Sequence, residues 1–225
     1  AIINYDKAIE IRADYFEAYN NKGSVLLKLK KYEQALQNYN RSIGINFSNI
    51  KAHKNKFFIL NKQNRLDQAV EELNVIIKLN PNDIEAYIDK SKILIVLNKL
   101  EEAIENLNTA YKIDPDFPYL FGNIVHAKTK ICDWRDFKKN IEILKLNINN
   151  LRKITEPYVF CTLFDSPVLQ KKTSEIWVEG FKVEENSNIF NKNIKKDFNR
   201  KIRIGYYSAD FRNHPVGHLI VRTLE

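Results

Sequence analysis

An all-α solenoid of paired antiparallel helices, running near its C-terminus into the start of an α/β domain, is the fold class that this sequence predicts. Three observations predict it. A small residue returns every 34 positions as Ala1, Ala35, Ala69 and Ala103. The dipeptides Asn80-Pro81 and Asp114-Pro115 recur at the same interval, and from Lys201 to Ser208 Ile202, Ile204 and Tyr206 alternate with Arg203, Gly205 and Tyr207 at the period of a strand.

Residues 1–15 read as a second helix alone, followed by complete units at 16–49, 50–83 and 84–117. The second helix of each unit is marked by the recurring alanine and, four residues on, by Tyr5, Tyr39, Leu73 or Leu107, a spacing that puts both on one face. The first helix repeats as Ala18-Tyr19, Ala52-His53 and Ala86-Tyr87, with Leu26, Leu60 and Leu94 two turns later and Tyr32, Leu66 and Leu100 at the turn. Small residues belong where helices cross closely, and the larger ones fill the space between units. No unit therefore buries its own apolar face, and stacking is obligatory. Proline at the unit ends stops one helix before the next begins. This is the tetratricopeptide-repeat (TPR) pattern, with departures: Gly23 becomes Phe57 and Ser91, and the terminal proline becomes Ala13 and Phe47 in the earlier units. The open apolar face at residue 1 leads us to expect further repeats upstream in a longer protein.

The first helices of such a superhelix are expected to line its concave face, where an extended partner peptide can lie. On that face Asn21, Asn55, Asp89 and Asn123 follow one another at steps of 34. An asparagine amide offers acceptor and donors together, so a ladder of them can pair with a peptide backbone of any sequence. The same asparagines can equally serve helix packing. Asp89 departs from the ladder; it would repel a peptide carboxylate and favour a nearby lysine or amide donor. His53 falls at an aromatic core position and His126 has no partner pattern, so neither is read as catalytic.

Residues 118–200 read as a degenerate repeat, bridging helices and a linker. Phe121, Asn123 and Val125 keep the first-helix pattern, but Cys132-Asp133-Trp134 stands where the usual turn should be. Asp133 is expected to cap the helix carrying Phe137, Ile141 and Leu144, with Trp134 packed on the preceding unit. Helices are expected from Glu156 to Phe164 and from Pro167 to Phe181, broken at Asp165-Ser166. Residues 201–225 then supply a strand, a polar loop and a helix from Val216 to Leu224, the opening of an α/β sheet domain, whose loops usually carry ligand sites.

Composition bounds the function. With 44% hydrophobic and 28% charged residues in 225, the chain can build a packed core. It holds no run of about eighteen apolar residues and no leader-like start, which predicts a cytoplasmic protein with no membrane partner. The formal charge is +8, but lysines and glutamates are interleaved at helical spacing, which argues for solvated faces against nucleic acid. The local excess of Lys192, Lys195, Lys196, Arg200, Lys201 and Arg203, broken by Asp197, reads as a solvated linker. Cys132 and Cys161 form neither a disulfide framework nor a metal pair and are expected to be half-buried thiols.

Several segments resemble one family. Cys132-Asp133-Trp134, Glu156-Pro157-Tyr158, Asp165-Ser166-Pro167, Arg203-Ile204-Gly205-Tyr206 and Ser208-Ala209-Asp210-Phe211-Arg212-Asn213-His214-Pro215-Val216-Gly217-His218-Leu219 resemble the TPR-bearing protein O-linked N-acetylglucosaminyltransferases (O-GlcNAc transferase and SPINDLY-like proteins). The resemblance implies a two-lobed GT-B glycosyltransferase domain after the superhelix. It implies transfer of N-acetylglucosamine from UDP-GlcNAc to serine or threonine of acceptor proteins held by the repeats, with no cofactor and no metal. It places His214 at the active site, where an imidazole could exchange a proton or hydrogen bond with the reacting groups; the alternative is a histidine that only fixes its loop. His218 reads as packing and Asp210 as a cap. With the rest of both lobes absent, the chain alone is expected to be inactive. Two other readings stay open: a non-enzymatic TPR interaction scaffold, and a fucosyl-transferring relative using GDP-fucose.

Overall fold

A computed structural model describes residues 1–179, and every regular element among them is helical: α1 (Ile2–Ile11), α2 (Phe16–Lys28), α3 (Tyr32–Ile45), α4 (Ile50–Lys62), α5 (Leu66–Leu79), α6 (Ile84–Val96), α7 (Leu100–Ile113), α8 (Leu120–Lys130), α9 (Phe137–Asn149), α10 (Pro157–Leu163) and α11 (Pro167–Glu179). The expected strand at Lys201–Ser208, the loop with His214 and the helix from Val216 lie outside the described residues. Helices α2/α3, α4/α5 and α6/α7 form tight pairs, and α1 packs on α2 as the second helix of a preceding unit would.

The repeat is written into the backbone as well as the side chains. Lys30, Asn64, Asn98 and Cys132, again 34 apart, all take left-handed backbone angles, with φ of 60°, 59°, 58° and 57°. Each ends a first helix with the same two hydrogen bonds: the amides of Lys31, Arg65, Lys99 and Asp133 donate to the carbonyls of Leu26, Leu60, Leu94 and Lys128 at 2.8–3.0 Å, and the amides of Lys30, Asn64, Asn98 and Cys132 to those of Leu27, Asn61, Ile95 and Thr129 at 2.9–3.1 Å. Cys132-Asp133-Trp134 thus preserves the repeat turn that its sequence suggested was replaced. Between units, Asn46, Asn80 and Asp114 are extended, and their side chains accept from the amides of Ser48, Asn82 and Asp116 at 3.0, 3.3 and 2.9 Å. Asn49 and Asp83 then cap α4 and α6 through the amides of Ala52 and Ala86.

Ala35, Ala69 and Ala103 are fully buried, and so, nearly, are Leu26, Leu60 and Leu94. The departures at Gly23 are volume exchanges across a helix pair. A Cβ at Gly23 would lie 2.7 Å from a ring carbon of buried Tyr39, so the first unit pairs no side chain with a large one. The second unit puts Phe57 with Leu73 in one core cluster.

After α7 the packing changes. Helix α10 packs on α8 and α11 on α9, while α8 and α9 contact each other less than earlier pairs do. Val125, Ile141, Leu144, Ile148, Phe160 and Ile176 form a core of their own there. The chain at residues 153–155 runs against the start of α8: the amide of Gly122 donates to the carbonyl of Ile154 at 3.0 Å, and that of Tyr119, whose φ is 65°, to the carbonyl of Lys153. Three expectations are corrected here. Asp133 does not cap α9, whose N-cap residue is Asp136; its carboxylate instead grips the Arg135 guanidinium at 2.8 Å through both oxygens, a bond that holds its pKa at about 2. Trp134, expected to be packed on the preceding unit, is 54% exposed and stacks edge-on with Phe137 of α9. Cys132 and Cys161 are both exposed, the first because a left-handed turn residue projects from the surface and the second because it lies on the outer face of α10.

Candidate functional site: a cleft between the first helices

Helix α2 contacts α4 directly, an approach between first helices that the second helices α3 and α5 do not match. That closer approach is what first helices on the inner side of a superhelix would make. Between α4 and α6 the first-helix side opens into a cleft of about 370 Å³. Its apolar wall is Leu27 of α2, Phe57 and Phe58 of α4, Leu73 and Ile76 of α5 and Ala86 of α6. Phe58 is 51% exposed, with Lys62 Nζ 5.9 Å from its ring centroid, so part of its surface is open to whatever enters.

The polar edge carries Lys54, Asn55, Glu85 and Asp89. Two of the four ladder residues named above, Asn55 and Asp89, thus meet in one cleft. Asn55 donates one amide hydrogen to Ser24 Oγ on α2 at 3.4 Å, so it also ties two units together. Asn21 is exposed on α2 and accepts from the Asn20 amide at 3.3 Å, whereas Asn123 is half-buried on α8. Neither lines this cleft. Burial pushes the Asp89 carboxyl above its ordinary value, Lys92 at 3.5 Å pulls it back, and Glu85 and Asp83 push it up again. Lys54 is held by Asp83 at 2.7 Å and lies 3.9 Å from Glu85.

On the opposite side of the second unit sits a buried ionic group that sequence reading missed. His53 Nδ1 lies 2.7 Å from Glu72 Oε2, His53 Nε2 lies 3.0 Å from the Phe47 carbonyl oxygen, and Lys56 Nζ reaches Glu72 Oε1 at 2.6 Å. Both ring nitrogens thus lie within hydrogen-bond distance of oxygen atoms. Burial by itself would raise the Glu72 pKa, but the hydrogen bond from His53, then that from Lys56 and its charge, outweigh it and hold the carboxyl below the glutamate range. A signal existed: where the other units carry Tyr and Asn, at 19/38 and 87/106, this one alone carries His53 and Glu72. The group sits within the stack and explains why a histidine is buried at this position. Among the described residues no cluster of three His, Cys, Asp or Glu is placed to hold a metal, and no helix is long and apolar enough to cross a membrane.

Helix pairs at a 34-residue period, closed by the same turn and open on the inner side, define an α-solenoid of tetratricopeptide repeats. Family models described as tetratricopeptide repeat match residues 16–49 and 60–122, and the chain carries these repeats. A solved MamA structure is similar at 15% identity and a TM-score of 0.56, covering 81% of this chain and 90% of that one. MamA from Desulfovibrio magneticus RS-1, residues 41 to the end, matches at 18% identity and 0.54, over 64% and 84%. YrrB, described as a TPR protein with an unusual peptide-binding site, matches at 20% and 0.55, over 77% and 81%. At such identities the likeness establishes the fold alone. These matches do not point to the O-GlcNAc transferases, and no curated protein matches the chain.

Proposed function

We propose that the repeats act as a protein-interaction scaffold in the cytoplasm, holding an extended peptide segment of a partner in the cleft between α4 and α6. The observation that carries this reading is the pairing of an apolar wall, with Phe58 half in solvent, and an edge amide at Asn55. A folded domain could not enter 370 Å³, whereas one or two side chains of an extended strand could. The neighbouring fold of YrrB, a TPR protein with a peptide-binding site, agrees with it. The test is fluorescence anisotropy with a labelled Gly/Ser peptide carrying a central Phe-Ser. Phe58→Asp and Asn55→Ala are each expected to weaken binding about tenfold, while Gln37→Ala, on α3 away from the cleft, leaves it unchanged. Equal affinities for all of these proteins would reject the cleft as the site.

A second reading, favoured by the Ser208–Leu219 segment, is that the repeats serve a protein O-glycosyltransferase, with UDP-GlcNAc as donor and His214 at the reacting sugar. That segment lies outside the described residues, so the motif alone supports it. Labelled sugar transfer to a captured partner by the native protein, abolished by His214→Ala, would support this reading. A native protein that captures partners and transfers no sugar would leave the scaffold alone standing.

A further inference from the structure

Three carboxylates, Asp83, Glu85 and Asp89, gather at the polar edge of the cleft against two ammonium groups, Lys54 and Lys92, while Lys62 Nζ lies 5.9 Å from the Phe58 ring centroid at the apolar wall. Lys54 is committed: Asp83, whose side chain is 7% exposed, both caps α6 and holds it. Lys92 is not committed in the same way. It pairs with Asp89 at 3.5 Å across one turn of α6, with side chains 60% and 40% exposed, and such solvated neighbours hold each other weakly. An incoming cation can take its place at modest cost.

We propose that this cleft selects a cationic-apolar segment: a stretch of partner protein that seats a large apolar side chain against Phe57 and Phe58 and sets a lysine or arginine beside Asp89. The inference rests on the scaffold reading and deepens it. Three features converge on that occupant. The wall is aromatic and aliphatic, which requires an apolar group to cover it. Asp89 stands where its neighbours in the ladder are asparagine, so this position exchanges the amide's donors for a negative charge. Burial above all, and then the like-charged Glu85 and Asp83, disfavour the ionised form of Asp89, which a cation set beside it would relieve. An acidic segment would meet repulsion at the same place.

The experiment uses the whole 225-residue chain and labelled Gly/Ser peptides alike except at their centre: Phe-Ser, Phe-Lys, Phe-Glu and Ala-Lys. Phe-Lys is expected to bind about tenfold more tightly than Phe-Glu, Ala-Lys is expected to bind more weakly than Phe-Lys, and Asp89→Lys should reverse the order of Phe-Lys and Phe-Glu. Asp89 is partly exposed at a helix surface, so the variant keeps its fold. If Phe-Ser binds but Phe-Lys and Phe-Glu bind alike, or if Ala-Lys matches Phe-Lys, this inference fails and the scaffold reading survives. If none of the peptides binds, both fail.

Discussion

Replacing Glu72 by alanine is expected to destabilise the repeats by about 3 kcal/mol, because it leaves the Lys56 ammonium and the His53 ring without their shared partner and facing a hole in a buried site. His53 is 3% exposed at its side chain and cannot turn to water, and Lys56, at 24%, can do so only in part. The loss is expected to depend on pH. Glu72 is held below the ordinary glutamate range in the folded chain, so its contribution is fully present above the unfolded value and disappears as pH falls through the folded one. Urea unfolding of the wild type and of Glu72→Ala, followed by circular dichroism from about pH 7 to about pH 3, should therefore show a gap that is wide at neutral pH and narrow in acid. A gap of constant width would mean that Glu72 acts by filling space.

Gly122→Ala should damage the other end of the solenoid to a similar degree, about 3 kcal/mol. A Cβ there would collide with Thr155 Oγ1 and Cβ and stand 2.8 Å from its Cα. The first two contacts belong to a side chain, but the third is backbone, tied in place by the hydrogen bond from Gly122 to Ile154. The methyl group can be accommodated only by moving residues 153–155 away from α8, which breaks that bond and opens the core around Val125 and Phe160. Thr155→Gly in the same chain should recover part of the loss and leave the backbone share. A Gly122→Ala protein as stable as the wild type would show that this approach is not what closes the end.

Most of the solenoid was legible in the sequence. Alanine positions at a fixed period marked the helix crossings because a Cβ-sized residue is what a close crossing admits, and all of them from Ala35 to Ala103 are buried. Asn80-Pro81 and Asp114-Pro115 marked the unit ends through backbone restrictions that act within two residues. The candidate site was half legible. Periodicity placed Asn21, Asn55, Asp89 and Asn123 on equivalent positions, but equivalence is not adjacency, and only Asn55 and Asp89 share the cleft. The turn at Cys132 was misjudged from its residue types; its neighbours at 30, 64 and 98 show that the position requires a left-handed backbone and tolerates Lys, Asn or Cys alike.

By itself the sequence determined the period, the helix pairs and the inward face, since each follows from side-chain spacing along one helix or from dihedral limits of a few bonds. Only the tertiary structure decided that His53, Glu72 and Lys56 form one ionic group, that α4 and α6 part to leave an acidic-edged cleft, and that residues 153–155 run against Gly122. Those three features depend on how far apart packed helices come to rest. That distance is set jointly by side-chain volumes remote in sequence, such as Gly23 with Tyr39 or Phe57 with Leu73, and no local pattern records it.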